Sequence, residues 1–391
     1  MQYDVIIIGA GAAGLMCAAT AGKRGRTVLL LDHANKPGKK ILMSGGGRCN
    51  FTNMDISPEN YLSQNPHFCK SALSRYTQWH FIELVNEHNI AYHDKGEGQL
   101  FCDNKASDIL NMLLSECEQA GVTIQTHCDI VNVQKKENHF FIESSRGEFG
   151  CASLVVAAGG LSIPTMGATG FGFQIAEQFG LETLERTASL VPFTLSGHWQ
   201  ELSAALSGVS VRAKVESSQT SFTDELLFTH RGLSGPVVLQ ISNYWNLGES
   251  ICLDFLPGES LSGLIIEWKK NSGKQELKTL LSKYLPKRFV QSWLEQKVGN
   301  KPVAEFSNEE IEQLHQHFHQ WRITPSGTEG YRTAEVTRGG VDTDEISSKT
   351  FESKKVKGLY FIGEVLDVTG WLGGYNFQWA WASGWCAGEV V

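Results

Sequence analysis

The chain opens on a run of aliphatic and β-branched residues, Asp4-Val-Ile-Ile-Ile8, too short for a core helix and without polar alternation. Such a run reads as a strand buried on both faces of a parallel sheet. The period then changes. Leu15 to Lys23 carries apolar positions at helical spacing, and Leu29-Leu30-Leu31-Asp32 is a second buried strand that ends on a carboxylate. Further on, helical spacing predicts a helix over 70–89 and another over 109–121, with 96–103 between them as a loop or hairpin. Residues 122–133 and 139–144 alternate as strands, and Leu154-Val-Val-Ala-Ala-Gly-Gly160 is another buried strand closing on glycines. From Val191-Pro192 the apolar runs shorten and alternate, which predicts a small β-barrel or sandwich, and helical spacing returns over 261–321. Residues 330–342 read as a strand entering a glycine pair, and 358–364 as an apolar strand closing on Gly363-Glu364. A last helix begins after Gly373-Gly374, with Trp379, Trp381 and Trp385 as core side chains. The fold expected is α/β: a discontinuous first domain, 1–190 and 338–391, and an insert, 191–337, made of a β-barrel over 191–260 and a helical part over 261–325.

Composition narrows the class. A chain of 391 residues exceeds one ordinary domain, and 41% hydrophobic with 19% charged residues describes a folded protein with a large core. The formal charge of −8 argues mildly against a nucleic-acid partner. Against that sum stands a local basic band in the insert: Lys269, Lys270, Lys274, Lys278, Lys283, Lys287, Arg288, Lys297 and Lys301. It reads either as a solvated helix face or as a groove for phosphates. Nine cysteines without a C-x-x-C pair read as reduced thiols in the cytoplasm. No basic leader precedes the first apolar run and glycines interrupt it, so neither export nor membrane insertion is expected. His315 and His319 lie one helical turn apart with Glu312 on the same face; a solvated face is preferred over a metal site there, and no metal is expected.

The glycines carry the chemistry. Gly9, Gly11 and Gly14, with Ala12 and Ala13, turn the first strand into the first helix, where backbone N–H groups and the helix N-terminus suit a diphosphate; Asp32 suits a ribose hydroxyl. The spacing alone does not distinguish FAD from NAD. Lys40, Ser44, Gly45, Gly46, Arg48, Cys49 and Asn50 put a cation, free N–H groups and amide donors in one loop. Cys49 is a redox or acid candidate there, with packing beside a cofactor as its plainer role. Ala158 and Gly159 offer another close backbone approach. Near the C-terminus Gly363, Glu364, Asp367, Gly373, Gly374, Tyr375 and Asn376 combine a carboxylate for a ribitol hydroxyl with a second helix N-terminus. In the insert, Leu227-Phe-Thr-His-Arg-Gly-Leu-Ser-Gly-Pro236 crowds donors into a turn; His230 is as readily structural as catalytic, with Arg231 its charged neighbour.

Four stretches carry a resemblance: 40–53 (Lys-Ile-Leu-Met-Ser-Gly-Gly-Gly-Arg-Cys-Asn-Phe-Thr-Asn), 228–236, 335–341 and 363–376. Together with the glycine turn at Gly9–Gly14 they are similar to the RdsA/BaiN/aminoacetone oxidase family of FAD-dependent oxidoreductases. The stretches 321–337 and 358–381 most resemble its ribosomal-RNA dihydrouridine synthase branch. The resemblance implies a Rossmann-like FAD domain of the two-dinucleotide-binding-domain flavoprotein type, interrupted by a β-barrel and helices. It also implies bound FAD, with NAD(P)H as a transient reductant, because no second strand and G-x-G-x-x-G unit follows. Three activities remain open: reduction of a uridine C5=C6 bond in 23S ribosomal RNA, with the basic insert face holding phosphates; reduction of a small enone or oxidation of an amine; and flavin-bound RNA binding without turnover. Cys49, His230 and Arg231 are the catalytic candidates, and the oligomeric state is not legible.

Overall fold

The computed structural model describes residues 1–296 and 298–391; Lys297 of the basic band lies outside the described residues. Contacts divide the chain into two units, Met1–Ala188 with Glu335–Val391, and Ser189–Ala334.

In the first unit, β1 (Gln2–Ile8) runs into α1 (Ala12–Lys23), which returns to β2 (Val28–Leu31). Then come β3 (Asn50–Asn53), α2 (Phe68–Arg75), α3 (Gln78–Glu87), β4 (Gln99–Cys102), α4 (Ser107–Gln119), β5 (Thr123–Gln125), β6 (Ile130–Lys136), β7 (His139–Ser144) and β8 (Gly147–Val156). Val5 to Ile7 have no exposed surface, because β1 lies between β2 and β8 in a parallel sheet covered on both faces. The sheet order is β5-β2-β1-β8-β7-β6. Its β7 and β6 pair antiparallel as a hairpin against the first half of β8.

Two expected elements are divided. The helix over 70–89 is two helices, because Thr77 and His80 form a capping box that opens α3 after Tyr76. The strand over 122–133 is split into β5 and β6 by His127, which takes a positive φ of 52° that no strand accommodates.

The second unit contains β9 (Phe193–Thr194), α5 (Gly197–Ala205), β10 (Ser210–Glu216), β11 (Ser221–Phe228), β12 (Gly232–Ser234), α6 (Pro236–Ser242), β13 (Ile251–Asp254), α7 (Leu261–Ser272), α8 (Leu277–Leu281), α9 (Lys287–Glu295), α10 (Asn308–His319), β14 (Trp321–Ile323) and β15 (Gly327–Thr328). Its strands pair antiparallel in the order β14-β13-β10-β11-β12-β9-β15. The path begins on β14 and ends on β15, which only residues 324–326 separate in the chain, and the strands of the stretch 191–260 lie between them. Two helices, α5 and α6, also fall inside that stretch. The apolar faces of β10, β11, α7 and α9 close on Phe255, Phe289 and Trp293, whose rings pack 4.9 to 5.1 Å apart.

The chain re-enters the first unit with β16 (Val336–Arg338), β17 (Leu359–Phe361) and α11 (Tyr375–Gly388). Of the strand expected over 330–342, only β16 forms; 331–333 is a turn. β17 adds to the parallel sheet beside the second half of β8. α11 buries Trp379 and Trp381 and leaves Trp385 half-buried. Gly384 and Gly388 let it lie on α1: a methyl at Gly384 would come within 2.5 Å of the Ala13 carbonyl oxygen.

Candidate functional site in the first unit

The turn between β1 and α1 is built by two glycines that the fold requires and one that it does not. Gly9 has φ +110°, and a Cβ there would stand 2.4 Å from the Ala157 oxygen; a Cβ at Gly14 would stand 1.9 Å from the Gly9 oxygen. At Gly11 the backbone is ordinary, and a Cβ would meet no atom within 4 Å. Open space therefore lies before the first turn of α1, whose Ala12, Ala13 and Gly14 N–H groups have no intrahelical acceptor. Such a cradle at the N-terminus of a twelve-residue helix fits a diphosphate. Asp32, at the end of β2, accepts from the Ala10 N–H with Oδ2 and from the Ala34 N–H with Oδ1, both at 2.7 Å. Its carboxylate fixes the glycine turn and keeps lone pairs for a ribose hydroxyl.

A second group gathers around Glu364. The Lys40 ammonium donates to its Oε2 at 2.7 Å, and the Thr337 N–H donates to its Oε1 at 2.9 Å. The Ser162 hydroxyl donates to the same Oε1 at 3.3 Å. The Thr337 hydroxyl accepts from the Leu161 N–H at 2.8 Å and so ties the segment after β8 to β16. Ala158 and Gly159 are part of that segment; Gly159 takes φ +72°, and Gly160 has no room for a side chain beside Thr337. Thr337 and Ser162 escaped the sequence reading because a threonine in a strand and a serine after glycines look ordinary. Glu335, one residue before β16, was also missed as a candidate acid. It keeps open surface, yet the protein crowds its carboxyl enough that desolvation raises its pKa, with Lys40 opposing the rise.

The loop over 44–50 has three successive left-handed glycines, Gly45, Gly46 and Gly47, with φ +58°, +64° and +86°. Gly46 and Gly47 face open space, Arg48 is exposed, and the Ser44 hydroxyl donates to the Ile41 oxygen at 2.7 Å. Asn50 and Gln99 side chains bond at 3.1 Å beside Gly374. Gly373 and Gly374, with φ +116° and +96°, lead into α11, and Gly374 leaves no space for a Cβ next to the Thr52 oxygen.

Four sequence candidates engage their side chains within the protein itself. Cys49 has no exposed surface, and burial pushes its thiol up to about 12. The Cys49 side chain is therefore packed inside the core of the first unit. Asp367 is 4% exposed; burial raises its pKa, and its carboxylate accepts from the Gln64 N–H at 2.7 Å, which fixes the loop before α2. Tyr375 is buried against Tyr61, whose hydroxyl donates to the Tyr375 oxygen at 3.0 Å. Asn376 closes its own turn, accepting from the Gly370 N–H and donating to the Gly370 oxygen, both at 2.9 Å. Gly363 is held by the Ser383 hydroxyl, which accepts its N–H at 3.1 Å.

His230 and Arg231 belong to the second unit. They are exposed at the turn from β11 to β12, which Thr229 and Gly232 close through the Thr229 N–H to the Gly232 oxygen at 2.8 Å. Arg231 stands 3.9 Å from Glu329. In α10, both ring nitrogens of His319 are engaged, Nδ1 with Asp254 at 2.8 Å and Nε2 with the Leu261 N–H at 3.3 Å.

The model of a family described as HI0933-like protein Rossmann domain matches residues 3–390. The chain is 53% identical over 395 residues to the Ribosomal RNA dihydrouridine synthase of Escherichia coli (strain K12), across 100% of this chain and 98% of that protein. It is 30% identical over 403 residues to the 3-dehydro-bile acid delta(4,6)-reductase of Clostridium scindens, across 98% of each. Among solved structures, the 3-ketosteroid-delta4-(5alpha)-dehydrogenase from Rhodococcus jostii RHA1 superposes with a TM-score of 0.51 over 99% of this chain and 97% of that one. At 14% identity that likeness is one of fold alone.

Proposed function

The chain belongs to the HI0933-like Rossmann family, and on that premise we propose that it is an FAD-dependent oxidoreductase reducing the C5=C6 bond of a ribosomal RNA uridine to dihydrouridine. The observation that carries this reading is 53% identity over the full length with the Escherichia coli enzyme, insert included. The residues present fit FAD: the Gly11 cradle and the first turn of α1 would hold the diphosphate, Asp32 a ribose hydroxyl, and Glu364 with Lys40 the polar chain beyond it. Bound FAD supplies the hydride. A carbonyl is conjugated to the uracil C5=C6 bond, so hydride addition at C6 must be matched by a proton at C5. Glu335, His230 and Arg231 are the candidates of this chain for delivering that proton or steadying the charge.

Three finer points belong to the same reading. The RNA is 23S, the reductant is NAD(P)H bound transiently, and the enzyme works in the cytoplasm; the absence of a second glycine fingerprint and nine free cysteines support the last two. Among the described residues no helix is long and apolar enough to cross a membrane. In the second unit, Lys269 and Arg288 spend their donors on backbone carbonyls, and Lys278 and Lys301 pair with Glu276 and Glu310. Lys270, Lys274, Lys283 and Lys287 are exposed without such partners among the described residues, so these four are the cations we assign to RNA phosphates.

A second reading, reduction of a small conjugated enone, is favoured by the 30% identity with the Clostridium scindens reductase. Nucleoside mass spectrometry of ribosomal RNA from cells with and without the gene separates the two. One dihydrouridine lost and restored with the gene is the expected result; an unchanged nucleoside profile would transfer the assignment to the enone.

A further inference from the structure

Beside the C-terminal turn of α1 a cavity of ≈ 300 Å³ opens among α1, α3, α4 and the end of α11. It lies roughly 12 Å along α1 from the glycine turn, at 1.5 Å per residue, and is separate from the site described above. Its apolar wall includes Met16, Ala19 and Leu113. Its charged groups are Glu83, Glu87, Glu116 and Glu389 against Lys23 and Arg24. Both cations are already engaged: the Lys23 ammonium pairs with Glu116, and the Arg24 guanidinium donates to the Gly388 and Val391 oxygens at 2.9 and 3.0 Å. Glu83, Glu87 and Glu389 have no ion-pair partner among the described residues.

Tyr76 supplies an independent observation. It is 6% exposed, and its ring is stacked on His80 at 5.4 Å and on Trp385 at 5.5 Å. Tyr76 lines the cavity, and its hydroxyl bonds no protein group among the described residues. Burial raises the phenol pKa first, and the charges of Glu116, Glu87 and Glu83, which line the same cavity, raise it further. A phenol hydroxyl without a protein partner, in a cavity lined by carboxylates and backed by an apolar wall, suits a ligand that brings N–H donors, positive charge and methylenes together. Three or more metal-ligating side chains do not converge anywhere among the described residues, which leaves an organic cation over a metal ion.

We propose that this cavity binds a linear diamine or polyamine, one ammonium donating to the Tyr76 hydroxyl and to Glu83 and Glu87, with the methylenes on Met16 and Leu113. The test is calorimetric titration of the FAD-loaded full chain with putrescine, against butanediol of equal chain length and against NaCl at matched ionic strength. Saturable binding of putrescine alone is expected. Tyr76→Phe should weaken it several-fold, and Glu83→Gln with Glu87→Gln about tenfold or more, as charge-assisted hydrogen bonds are lost. Flavin absorbance should stay unchanged in each variant. Equal heats from NaCl or butanediol, or unaltered affinity in the glutamine variant, overturn the proposal. Glu83 and Glu87 are exposed on α3, so that variant tests the site even where the buried Tyr76 change impairs folding.

Discussion

A methyl group added at Gly14 would come within 1.9 Å of the Gly9 oxygen, whereas one added at Gly11 would meet no protein atom within 4 Å. The two substitutions should therefore fail differently. Gly11→Leu is expected to leave the melting temperature of the flavin-free protein unchanged while reducing FAD affinity at least about tenfold, read by flavin fluorescence titration. Gly14→Ala should destabilise the flavin-free protein itself, by about 2 kcal/mol or more, because the backbone must part to admit the methyl. Equal loss of stability in both would remove the argument that the Gly11 space is kept for a ligand. Glu335 makes the second prediction at this scale. Although Glu335 keeps open surface, desolvation by the protein around its carboxyl raises its pKa above the ordinary 4.5, so the folded protein holds a proton that the unfolded chain releases. Stability from this group is therefore lost as pH rises from 4.5 toward the folded value. Glu335→Gln should melt higher than wild type at pH 8, with the difference closing below about pH 4.5. A constant difference across pH would show that the carboxyl is not desolvated.

At the scale of elements, α7 to α9 show how a charge run acquires meaning. Of the nine basic residues in the band, eight lie among the described residues, and structure sorts them by partner: Lys269, Lys278, Arg288 and Lys301 serve the second unit's own fold, and four lysines remain. Changing Lys270, Lys274, Lys283 and Lys287 to Ala should weaken RNA binding and reduce the salt dependence of log K by roughly 3, near 0.7 per cation lost. NADH oxidation with a small acceptor should be unaffected. A salt slope equal to wild type would return the band to a solvated face. The same scale explains where helical spacing misled. Apolar positions run on through Tyr76, but the Thr77 capping box interrupts the backbone, and a cap outranks periodicity because it satisfies donors that the next turn would otherwise leave unpaired.

At the scale of the molecule, each unit carries its own hydrophobic core, one around β1, β8, α1 and α11 and one around Phe255, Phe289 and Trp293. FAD held by the first unit should stabilise that unit by mass action, about 2.7 kcal/mol at a hundredfold excess over Kd. Calorimetry with and without FAD is expected to show one transition moving upward and a second staying in place. A single transition that moves as a whole would mean that the two cores unfold as one.

Sequence alone determined β1, α1 and β2, the buried final helix and the change of period after Val191, because burial patterns of period two or 3.6 are written into neighbouring residues. It also marked Gly9, Gly11 and Gly14 by spacing. Tertiary structure decided what those positions do. Lys40 meets Glu364 across 324 residues of chain, and Thr337 reaches Leu161 across 176. Asp367 turns to Gln64, and Cys49 closes inside the core. Contacts between residues so far apart depend on how the parallel sheet brings strand ends together, and no local pattern records which carboxylate faces a ligand and which faces its own backbone.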